Sequence, residues 1–306
     1  MEISIILPTY NNLVELIRCL ESLAVQSFRN FEVVVSVDGS TDGTVIFMDN
    51  IHGRFPFPIK KYISQENVSR AHARNRAIGL SEGRYILFLD SDIFLDKEAL
   101  SKHHKIVSGG GNVVSLGDVF YINRKKIWSY YINTRGVKKY RDQETVLWNY
   151  FTTQNSCLPA DWVKALNGFD ENISRYGGVD MELAYRIKKE YDPFFVYNQR
   201  ARGFCIEDKP LSSALNQLYT YGRTGLRYIN RLYPELNYIY YVKKVNSVRW
   251  SDRLFMSLLN PAFQWVAQQM VHFSFGSLRN FWINYLVICH ILKGYKEAES
   301  SGAPGA

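Results

Sequence analysis

A chain of 306 residues with 46% hydrophobic content is long enough for one large α/β domain, or for a domain with an appendage. Its formal net charge of +8 suits nucleic acid, an anionic membrane face or a phosphorylated substrate. The sequence contains no zinc finger, RNA-recognition motif or basic helix, so nucleic acid is disfavoured as a partner. The four cysteines lack Cys-x-x-Cys spacing, and we expect neither disulfides nor a zinc site but a reduced, cytoplasmic setting.

Strand and helix patterns alternate along residues 1–90. Strand patterns occupy residues 3–7, 31–37, 59–64 and 85–89, and the first and fourth are apolar runs of buried-strand length. Apolar residues at helical spacing lie between them. This alternation predicts a parallel sheet wrapped by helices. Met1 and Glu2 lead directly into the first strand, so we expect no signal peptide.

Polar motifs follow three of these strands at the point where each ends. They comprise Pro8, Thr9, Tyr10 and Asn11 after the first strand, Asp38 after the second, and Asp90, Ser91 and Asp92 after the fourth. In open α/β sheets, ligands bind beyond the carboxyl ends of the strands. Two carboxylates two residues apart suit Mg²⁺ or Mn²⁺, which take one or two protein carboxylates plus phosphate oxygens. The alternative is a set of ordinary turns carrying a surface Asp pair.

A fourth motif, at residues 177–182, has two glycines followed by Asp180 and Glu182. The glycines lead into a helical pattern, which places Asp180 near a helix N-terminus. That position favours the ionised carboxylate that a general base requires. The alternative is an acidic helix start with no catalytic role.

In their order and spacing, the four motifs resemble those of the family 2 glycosyltransferases, which transfer a sugar from a nucleoside diphosphate to an acceptor with inversion. The resemblance covers residues 1–230. It implies an α/β fold of the GT-A type, a Rossmann-like nucleotide-sugar transferase domain. It also implies a UDP-sugar donor and Mn²⁺ or Mg²⁺ as cofactor.

The resemblance also implies roles for individual residues. Pro8, Thr9, Tyr10 and Asn11 form the base-contacting loop, in which Tyr10 stacks on the base and Asp38 accepts a hydrogen bond from uracil. Asp90 and Ser91 contact the nucleotide, and Asp92 holds the metal together with Asp90. Asp180 matches the base that deprotonates the acceptor hydroxyl, while Glu182 helps to hold either the acceptor or the helix.

The sequence departs from the family pattern at several positions. Arg74 belongs to an Ala-Arg-Asn element and is a candidate partner for the diphosphate or for Asp38, but Ser69 stands where a glycine is usual. Val179 replaces the Glu that normally precedes the base. Many relatives carry a metal-ligating His where this chain has Cys205. We expect Cys205 to be a small buried residue, and Glu207 or Asp208 is an alternative substitute for the His.

Two basic features have more than one interpretation. Residues 124–141 are basic and rich in Tyr and Trp, which fits a solvated loop as well as an acceptor- or phosphate-binding surface. Arg223 lies in a Tyr-Gly-Arg segment that resembles family members. It is either a contact to the diphosphate or acceptor, or a surface arginine.

Residues 254–292 contain a single charged side chain, Arg279. Residues 255–273 predict a helix with one apolar face, and residues 281–292 a second short apolar segment. Pro261 and polar residues interrupt the stretch, so we do not expect a membrane span. Helices lying in an anionic membrane interface explain more of the pattern than a packed helical subdomain or a dimer interface does.

The sequence thus predicts a nucleotide-sugar-binding half at residues 1–115, an acceptor-binding half with the catalytic base at 116–230, amphipathic helices at 231–298 and a disordered tail at 299–306. We expect transfer of one sugar from a UDP-sugar to a lipid or lipid-linked glycan, by a protein peripheral to the cytoplasmic face of the cell membrane. Two alternatives stay open. One is a soluble glycan or protein glycosyltransferase that dimerises through the C-terminal helices, and the other is a catalytically silent scaffold that binds nucleotide-sugar.

Overall fold

The computed structural model describes residues 1–123, 126–173, 177–206 and 209–300. Within these residues, nine strands form one mixed sheet in the order β3-β2-β1-β4-β8-β6-β9-β5, with β7 paired to β9. The strands are β1 (Ile3–Thr9), β2 (Phe31–Asp38), β3 (Ile59–Ser64), β4 (Tyr85–Leu89), β5 (Ile93–Leu95), β6 (Val113–Tyr121), β7 (Thr145–Val146), β8 (Asn155–Pro159) and β9 (Phe194–Cys205).

Helices connect the strands and make up most of the C-terminal third. The α-helices are α1 (Leu13–Ala24), α2 (Thr44–Asp49), α3 (Arg70–Leu80), α4 (Ala99–Val107), α5 (Ile127–Ile132), α6 (Ala160–Ala165), α7 (Val179–Tyr191), α8 (Leu211–Tyr221), α9 (Arg227–Leu232), α10 (Trp250–Ser257), α11 (Pro261–Phe273) and α12 (Gly276–Ser300). Short 3₁₀ segments lie at Gly136–Lys139 and Trp148–Tyr150, and a π-helical segment lies at Gly222–Leu226. Residues Pro234–Lys244 contain further 3₁₀ turns, which are separated by non-helical backbone at residues 239–241.

The N-terminal part of the sheet is parallel, as the alternating pattern predicts. β1 pairs in parallel with β2 and with β4, and β2 pairs in parallel with β3. β8 then joins β4 in antiparallel orientation and makes the sheet mixed. A mixed α/β sheet followed by a helical C-terminal region confirms the predicted fold class.

Residues on the two faces of the parallel strands pack against different helices. Alternate residues of β1, such as Ile3 and Ile5, share a buried cluster with Leu16 and Leu20 of α1. α3 contacts β1, β2 and β3, and its buried Ala77 lies outside that cluster. Helices therefore cover both faces of these strands, which is why β1, β2 and β4 are almost wholly buried. β3, at the end of the strand order, carries Lys60 and Lys61 and is only partly buried.

The chain divides into two compact units. The first comprises residues 1–171 and 179–208, and the second comprises residues 172–178 and 209–306. Residues 209–230, which the sequence-based division assigned to the acceptor-binding half, cluster with the C-terminal residues. The functional division of the chain stays a prediction.

The C-terminal helices differ from the sequence-based boundaries in two ways. The helix predicted over residues 255–273 is broken, because α10 ends at Ser257 and α11 begins at Pro261. Proline is favoured in the first turn of a helix, where the backbone N–H that it lacks would have no partner within the helix. The short segment predicted at residues 281–292 is part of α12, which has 25 residues and runs through Ser300. The predicted tail at 299–306 therefore begins too early, and residues 301–306 lie outside the described part.

Candidate active site

Three of the predicted polar motifs lie at one edge of the sheet. In the strand register Thr9 is opposite Val37, and Ile6 is opposite both Val34 and Phe88. β1 therefore lies between β2 and β4, with Asp38 at the end of β2 and Asp90 directly after β4. Pro8, in β1, is followed by the exposed Tyr10 at this edge. The structure thus brings together the loops that the sequence assigned to nucleotide binding.

Asp38 is buried in a close-fitting turn. Its Oδ1 accepts the backbone N–H of Val68 at 2.9 Å, and its Oδ2 lies 3.3 Å from the side-chain amide of Asn67. Gly39 has a φ of +72°, and a Cβ at this position would lie 2.3 Å from the backbone nitrogen of Asn67. Only glycine fits both the backbone angle and the contact. Burial raises the pKa of Asp38, and the hydrogen bond from Val68 opposes this shift.

The loop after β1 is fixed by its asparagines. Asn11 has a φ of +47° and accepts the backbone N–H of Thr41 through Oδ1 at 2.7 Å, so its side chain joins two loops of the edge. Asn12 donates to Oγ of Ser91 at 3.2 Å, which joins this loop to the Asp-Ser-Asp segment. Tyr10 is 52% exposed, whereas Thr9 is buried. The arrangement leaves the Tyr10 ring accessible for stacking, while Asn11 and Ser91 hold the loops.

Arg74 of α3 is paired with the first carboxylate of the Asp-Ser-Asp segment. Its Nη2 lies 2.8 Å from Oδ1 of Asp90, and the guanidinium lies 5.7 Å from the centroid of the Phe169 ring. The sequence predicted the diphosphate or Asp38 as the partner of Arg74. The structure shows a different partner, Asp90. Neighbouring Asn75 bonds to both backbone groups of Phe169 and so fixes local structure.

Ser69, where the family usually has glycine, has a capping role. It is the N-cap of α3, and its Oγ accepts the backbone N–H of His72 at 3.1 Å. Serine is among the preferred N-cap residues, because its hydroxyl satisfies a backbone donor of the first turn. This departure from the family pattern therefore stabilises the helix that carries Arg74.

Cys205 lies beside Asp92. The antiparallel pairing of β5 with β9 places Ile93 opposite Cys205, and the Cys205 Sγ lies 3.9 Å from Oδ2 of Asp92. Cys205 is buried, as expected. The structure thus brings the residue at the position of the family His to the predicted metal ligand. Glu207 and Asp208 lie outside the described residues.

Asp180 lies in the first turn of α7, as predicted. Thr153 donates its hydroxyl to Oδ1 at 3.1 Å and its backbone N–H to Oδ2 at 3.3 Å. The sequence indicated a carboxylate whose ionised form is favoured by the helix end. Instead, the pKa of Asp180 is raised, because burial outweighs the opposing positive charge of Arg74, and the negative charge of Asp90 adds to the increase.

Glu182 stabilises the same helix. Its carboxylate forms a two-point ion pair with Arg186, with Nε–Oε1 and Nη2–Oε2 distances of 2.7 Å. Arg186 also donates to the backbone carbonyls of Leu166 and Gly168. Glu182 is 2% exposed. The sequence suggested that Glu182 holds either the acceptor or the helix, and these contacts agree with holding the helix.

The two glycines before α7 and the predicted Arg223 lie in the second unit. Gly177 and Gly178 have φ values of +87° and +102°, and a Cβ on Gly177 would lie 2.8 Å from the Tyr221 side chain. Arg223 is exposed within the π-helical segment. Its predicted contact to the diphosphate or acceptor stays a prediction.

The basic segment at residues 124–141 is partly structural. Lys138 pairs with the buried Asp118, and Arg135 lies over the Tyr131 ring at 4.8 Å from its centroid. Arg124 and Lys125 lie outside the described residues. The described contacts therefore assign Lys138 and Arg135 to packing, and the acceptor-binding interpretation of the segment stays untested.

A buried polar network behind the sheet edge had no signal in the sequence. The His103 Nδ1 lies 2.9 Å from Oγ of Ser115, and its Nε2 lies 2.9 Å from Oδ1 of Asn155. Asn198 donates to the same Ser115 hydroxyl at 3.0 Å. Because burial disfavours the charged ring, the pKa of His103 is lowered to about 4. Thr153, the partner of Asp180, also gave no sequence signal.

Asp90 and Asp92 are the residues of this edge that fit a divalent cation. Among the described residues, no group of three or more His, Cys, Asp or Glu side chains is arranged to hold a metal ion. Two carboxylates suit a cation whose remaining ligands are phosphate oxygens and water. The donor set is therefore consistent with a metal that binds together with a diphosphate.

Comparison with known proteins places the chain in a family. The model of glycosyl transferase family 2 matches residues 4–159. An uncharacterized glycosyltransferase, YfnE of Bacillus subtilis (strain 168), is 27% identical over an alignment of 242 positions that covers 61% of this chain and 60% of YfnE. The chain thus spans less than two thirds of this relative.

Two solved structures share the fold. S. aureus TarS 1–349 in complex with UDP has a TM-score of 0.57 at 18% identity, covering 99% of this chain and 92% of that one. The mannosyltransferase PcManGT from Pyrobaculum calidifontis, in complex with GDP-Man and Mn²⁺, has a TM-score of 0.62 at 17% identity, covering 95% and 86%. The fold is therefore the GT-A fold, and the chain belongs to glycosyl transferase family 2.

Proposed function

We propose that this protein transfers one sugar from a UDP-sugar to an acceptor hydroxyl, with inversion at the anomeric carbon. One observation carries the proposal: Thr153 is hydrogen-bonded to the Asp180 carboxylate, and the next residue, Gln154, accepts the backbone N–H of Asp90 at 3.4 Å, so the carboxylate lies beside the Arg74–Asp90 pair. A nucleotide-binding edge and a separate carboxylate beside it are the two parts that a single displacement requires. The fold shared with a UDP complex of TarS supports UDP as the nucleotide.

In this proposal the donor is held by the edge loops. Asp38 accepts a hydrogen bond from the uracil ring through its ionised carboxylate. Burial raises the pKa of this group, and the hydrogen bond from Val68 favours its ionised form. Tyr10, which is exposed, stacks on the base. Asn11 and Ser91 hold the loops around the nucleotide through their contacts to Thr41 and Asn12.

Asp180 acts as general base on the acceptor hydroxyl. Its raised pKa makes it a stronger base than an ordinary surface aspartate, and the two hydrogen bonds from Thr153 orient the carboxylate. The proton moves from the acceptor oxygen to Asp180 as that oxygen attacks the anomeric carbon. The bond from that carbon to the diphosphate oxygen breaks, and UDP leaves.

Asp92 and Asp90 would hold Mn²⁺ or Mg²⁺ through their carboxylates. When bound, the cation neutralises the negative charge that develops on the departing diphosphate. Arg74 keeps Asp90 in place through the 2.8 Å ion pair, and it adds a buried positive charge near the same edge. The Mn²⁺ in the PcManGT complex supports metal dependence.

The proposed acceptor is a lipid or lipid-linked glycan, on the pathway to a cell-envelope polysaccharide, at the cytoplasmic face of the membrane. The net charge of +8 supports an anionic surface as the working environment. The described helices include none that is long and apolar enough to cross a bilayer. We propose that the association is peripheral.

The decisive experiment measures UDP release from a panel of UDP-sugars with Mn²⁺ or Mg²⁺, with and without a membrane lipid extract. We expect metal-dependent release from one donor, an increase with lipid, and a loss of about 10²- to 10⁴-fold in Asp180→Asn. Asp161→Asn is the matched control, because Asp161 is an exposed aspartate in the first turn of α6.

Other outcomes would redirect the proposal. Turnover on a soluble glycan that lipid does not change would favour the soluble transferase. UDP binding without turnover of any donor would favour the silent scaffold, and it would leave Asp180 without its proposed role.

A further inference from the structure

The helices α10 to α12 leave aromatic side chains exposed. Among the described residues, seven Phe and Trp side chains are classed as exposed, and six of them lie between residues 250 and 281. These six, which we call the C-terminal aromatic surface, are Trp250 (79% exposed), Phe263 (47%), Trp265 (63%), Phe273 (76%), Phe275 (78%) and Phe281 (58%). Such a concentration of exposed apolar side chains indicates an interaction surface.

α11 shows how the surface arises. The helix buries Ala267 and Val271 and contacts α12, so a stripe of small residues makes the packing contact. Phe263, Val266 and Phe273 lie at spacings of three and seven residues, on a neighbouring stripe that stays exposed. Of the apolar face predicted over residues 255–273, Val266 and Phe273 lie in α11 and are exposed.

Basic residues predominate around the surface, and the acidic Asp252 of α10 is paired with Lys244. No Asp or Glu occurs between Leu254 and Leu292, whereas Arg279 lies within this stretch and Arg249, Arg253 and Lys293 flank it. The Arg279 guanidinium lies 5.0 Å from the centroid of the exposed Phe275 ring, so a cation and an aromatic side chain are presented together. This combination complements the boundary between acyl chains and anionic headgroups.

A groove next to the surface collects further basic residues. Its volume is about 930 Å³, and it is lined in part by Lys243, Arg249 and the 80% exposed Val248. Lys244, also in the lining, pairs with Asp252, while Lys243 and Arg249 are exposed. The groove therefore places two exposed cationic side chains, Lys243 and Arg249, beside the apolar Val248. The cations complement the phosphate of a lipid headgroup, and the apolar side chain complements the acyl chains.

We propose that the C-terminal aromatic surface binds the face of an anionic lipid bilayer, with Trp250, Trp265 and Phe273 inserted at headgroup depth. A second copy of this chain is the competing occupant. A symmetric dimer through this surface would bring Arg249, Arg253 and Arg279 of both copies into one interface, and the repulsion between these like charges disfavours it. Anionic lipid meets both the aromatic and the basic residues. This inference deepens the proposed function, because it supplies the contact that brings the enzyme to a lipid-linked acceptor.

The test is co-sedimentation of the full chain with vesicles of phosphatidylcholine alone or of phosphatidylcholine mixed with phosphatidylglycerol. We expect binding to the anionic vesicles that weakens as salt is raised. The double variant Trp265→Ser/Phe273→Ser should bind about tenfold or more weakly. Phe194→Ser is the matched control, since Phe194 is 63% exposed in the first unit, and it should bind as the wild type does.

A second pair of variants tests the charges. Arg249→Glu/Arg253→Glu should lose several-fold in binding to anionic vesicles. Lys105→Glu/Lys189→Glu makes the same change in net charge at exposed positions of the first unit, and it should change binding much less. Thermal unfolding of each variant checks that the fold is intact, and we expect little change because all of the substituted side chains are exposed.

Three results would overturn the proposal. The first is that the wild type does not bind vesicles, and the second is that Trp265→Ser/Phe273→Ser binds them as well as the wild type does. The third is a dimer that forms without lipid and that this double variant abolishes, in place of vesicle binding. Asp180→Asn separates the two proposals: it should bind vesicles normally even though it is expected to lose turnover. If the wild type binds vesicles normally but turns over no donor, the proposed function is wrong, whereas the proposed role of the C-terminal aromatic surface is supported.

Discussion

The Nη2 of Arg74 lies 2.8 Å from Oδ1 of Asp90, and this pair influences the carboxylate of Asp180 with opposite signs. The Arg74 charge lowers the pKa of Asp180, whereas the Asp90 charge raises it. The proposed metal-binding edge and the proposed base are therefore electrostatically coupled. A cation or a diphosphate bound near Asp90 would change the proton affinity of Asp180.

Arg74→Ala should destabilise the fold, because it leaves Asp90 without its partner and removes a side chain that is 4% exposed. Asp90 is 26% exposed, so water relieves part of the penalty, and we expect a loss of about 2 to 3 kcal/mol in the free energy of unfolding. Urea unfolding measures it. Arg76→Ala, at an exposed position of the same helix, is the control and should cost less than about 1 kcal/mol.

The acid limb of the turnover-versus-pH profile should lie above the ordinary range of an aspartate, because burial raises the pKa of Asp180 and only the ionised form accepts a proton. Thr153→Val removes the hydroxyl that bonds to Oδ1. This bond favours the charged form, so its loss should move the acid limb to still higher pH. A limb that stays in place in Thr153→Val would contradict the assignment of Asp180 as base.

The same raised pKa has a consequence for stability. A carboxyl group whose pKa is higher in the folded protein stabilises the fold below its unfolded pKa and loses that contribution as pH rises through the folded pKa. At neutral pH the buried Asp180 carboxylate therefore destabilises the protein. Asp180→Asn should raise the free energy of unfolding at pH 7, and the difference should shrink as the pH is lowered toward 4. Urea unfolding at several pH values checks the sign.

Glu182→Gln should affect stability rather than catalysis, since Glu182 bonds to Arg186 at 2.7 Å through both oxygens. Removing one partner of a buried ion pair costs several kcal/mol, and we expect about 2 to 4 kcal/mol here. Turnover by the folded fraction should stay within about twofold of the wild type. Glu190→Gln, exposed on the same helix, is the control. A large fall in kcat with unchanged stability would instead assign Glu182 to the acceptor.

The sequence predicted the parallel half of the sheet and the placement of Asp38, Asp90 and Asp180, because these depend on local signals. An apolar run sets each strand, and the residue after it follows from the register. The pKa of Asp180 could not be predicted, since it depends on Thr153, Arg74 and Asp90, which are distant in sequence. The position at a helix N-terminus is one local influence that lowers the pKa of Asp180. Burial, which depends on the whole fold, raises this pKa and has the larger effect.

The buried network of His103 was not predictable for the same reason. Its partners Ser115 and Asn155 are 12 and 52 residues away, and Asn198 reaches Ser115 from 83 residues away. No spacing rule connects such residues. A histidine within an amphipathic helix gives the same pattern whether it is exposed or buried, and only the assembled sheet shows which.

Gly39→Ala should weaken UDP binding by about tenfold or more, because the new Cβ would lie 2.3 Å from the Asn67 backbone nitrogen and displace the turn that holds Asp38. Gly53→Ala is a matched control: Gly53 has the same φ of +72°, with nothing within 4 Å of the added Cβ. Both variants carry the strain of a left-handed alanine, but only the first disturbs Asp38. Calorimetric titration with UDP distinguishes them, and equal losses in affinity would contradict the role of the Asp38 turn.

His103 should make the protein sensitive to acid. Its pKa is lowered to about 4 in the folded protein from 6.5, so the folded state binds this proton less readily than the unfolded chain does. The contribution of the neutral ring is fully present above pH 6.5 and is lost as the pH falls toward 4. The loss amounts to about 3 kcal/mol for a shift of this size. His103→Gln, which keeps a polar side chain but does not titrate, should be less stable than the wild type at pH 7 and should lose less stability between pH 6.5 and 4. Urea unfolding across this range measures both slopes, and parallel slopes would show that another group is responsible for acid unfolding.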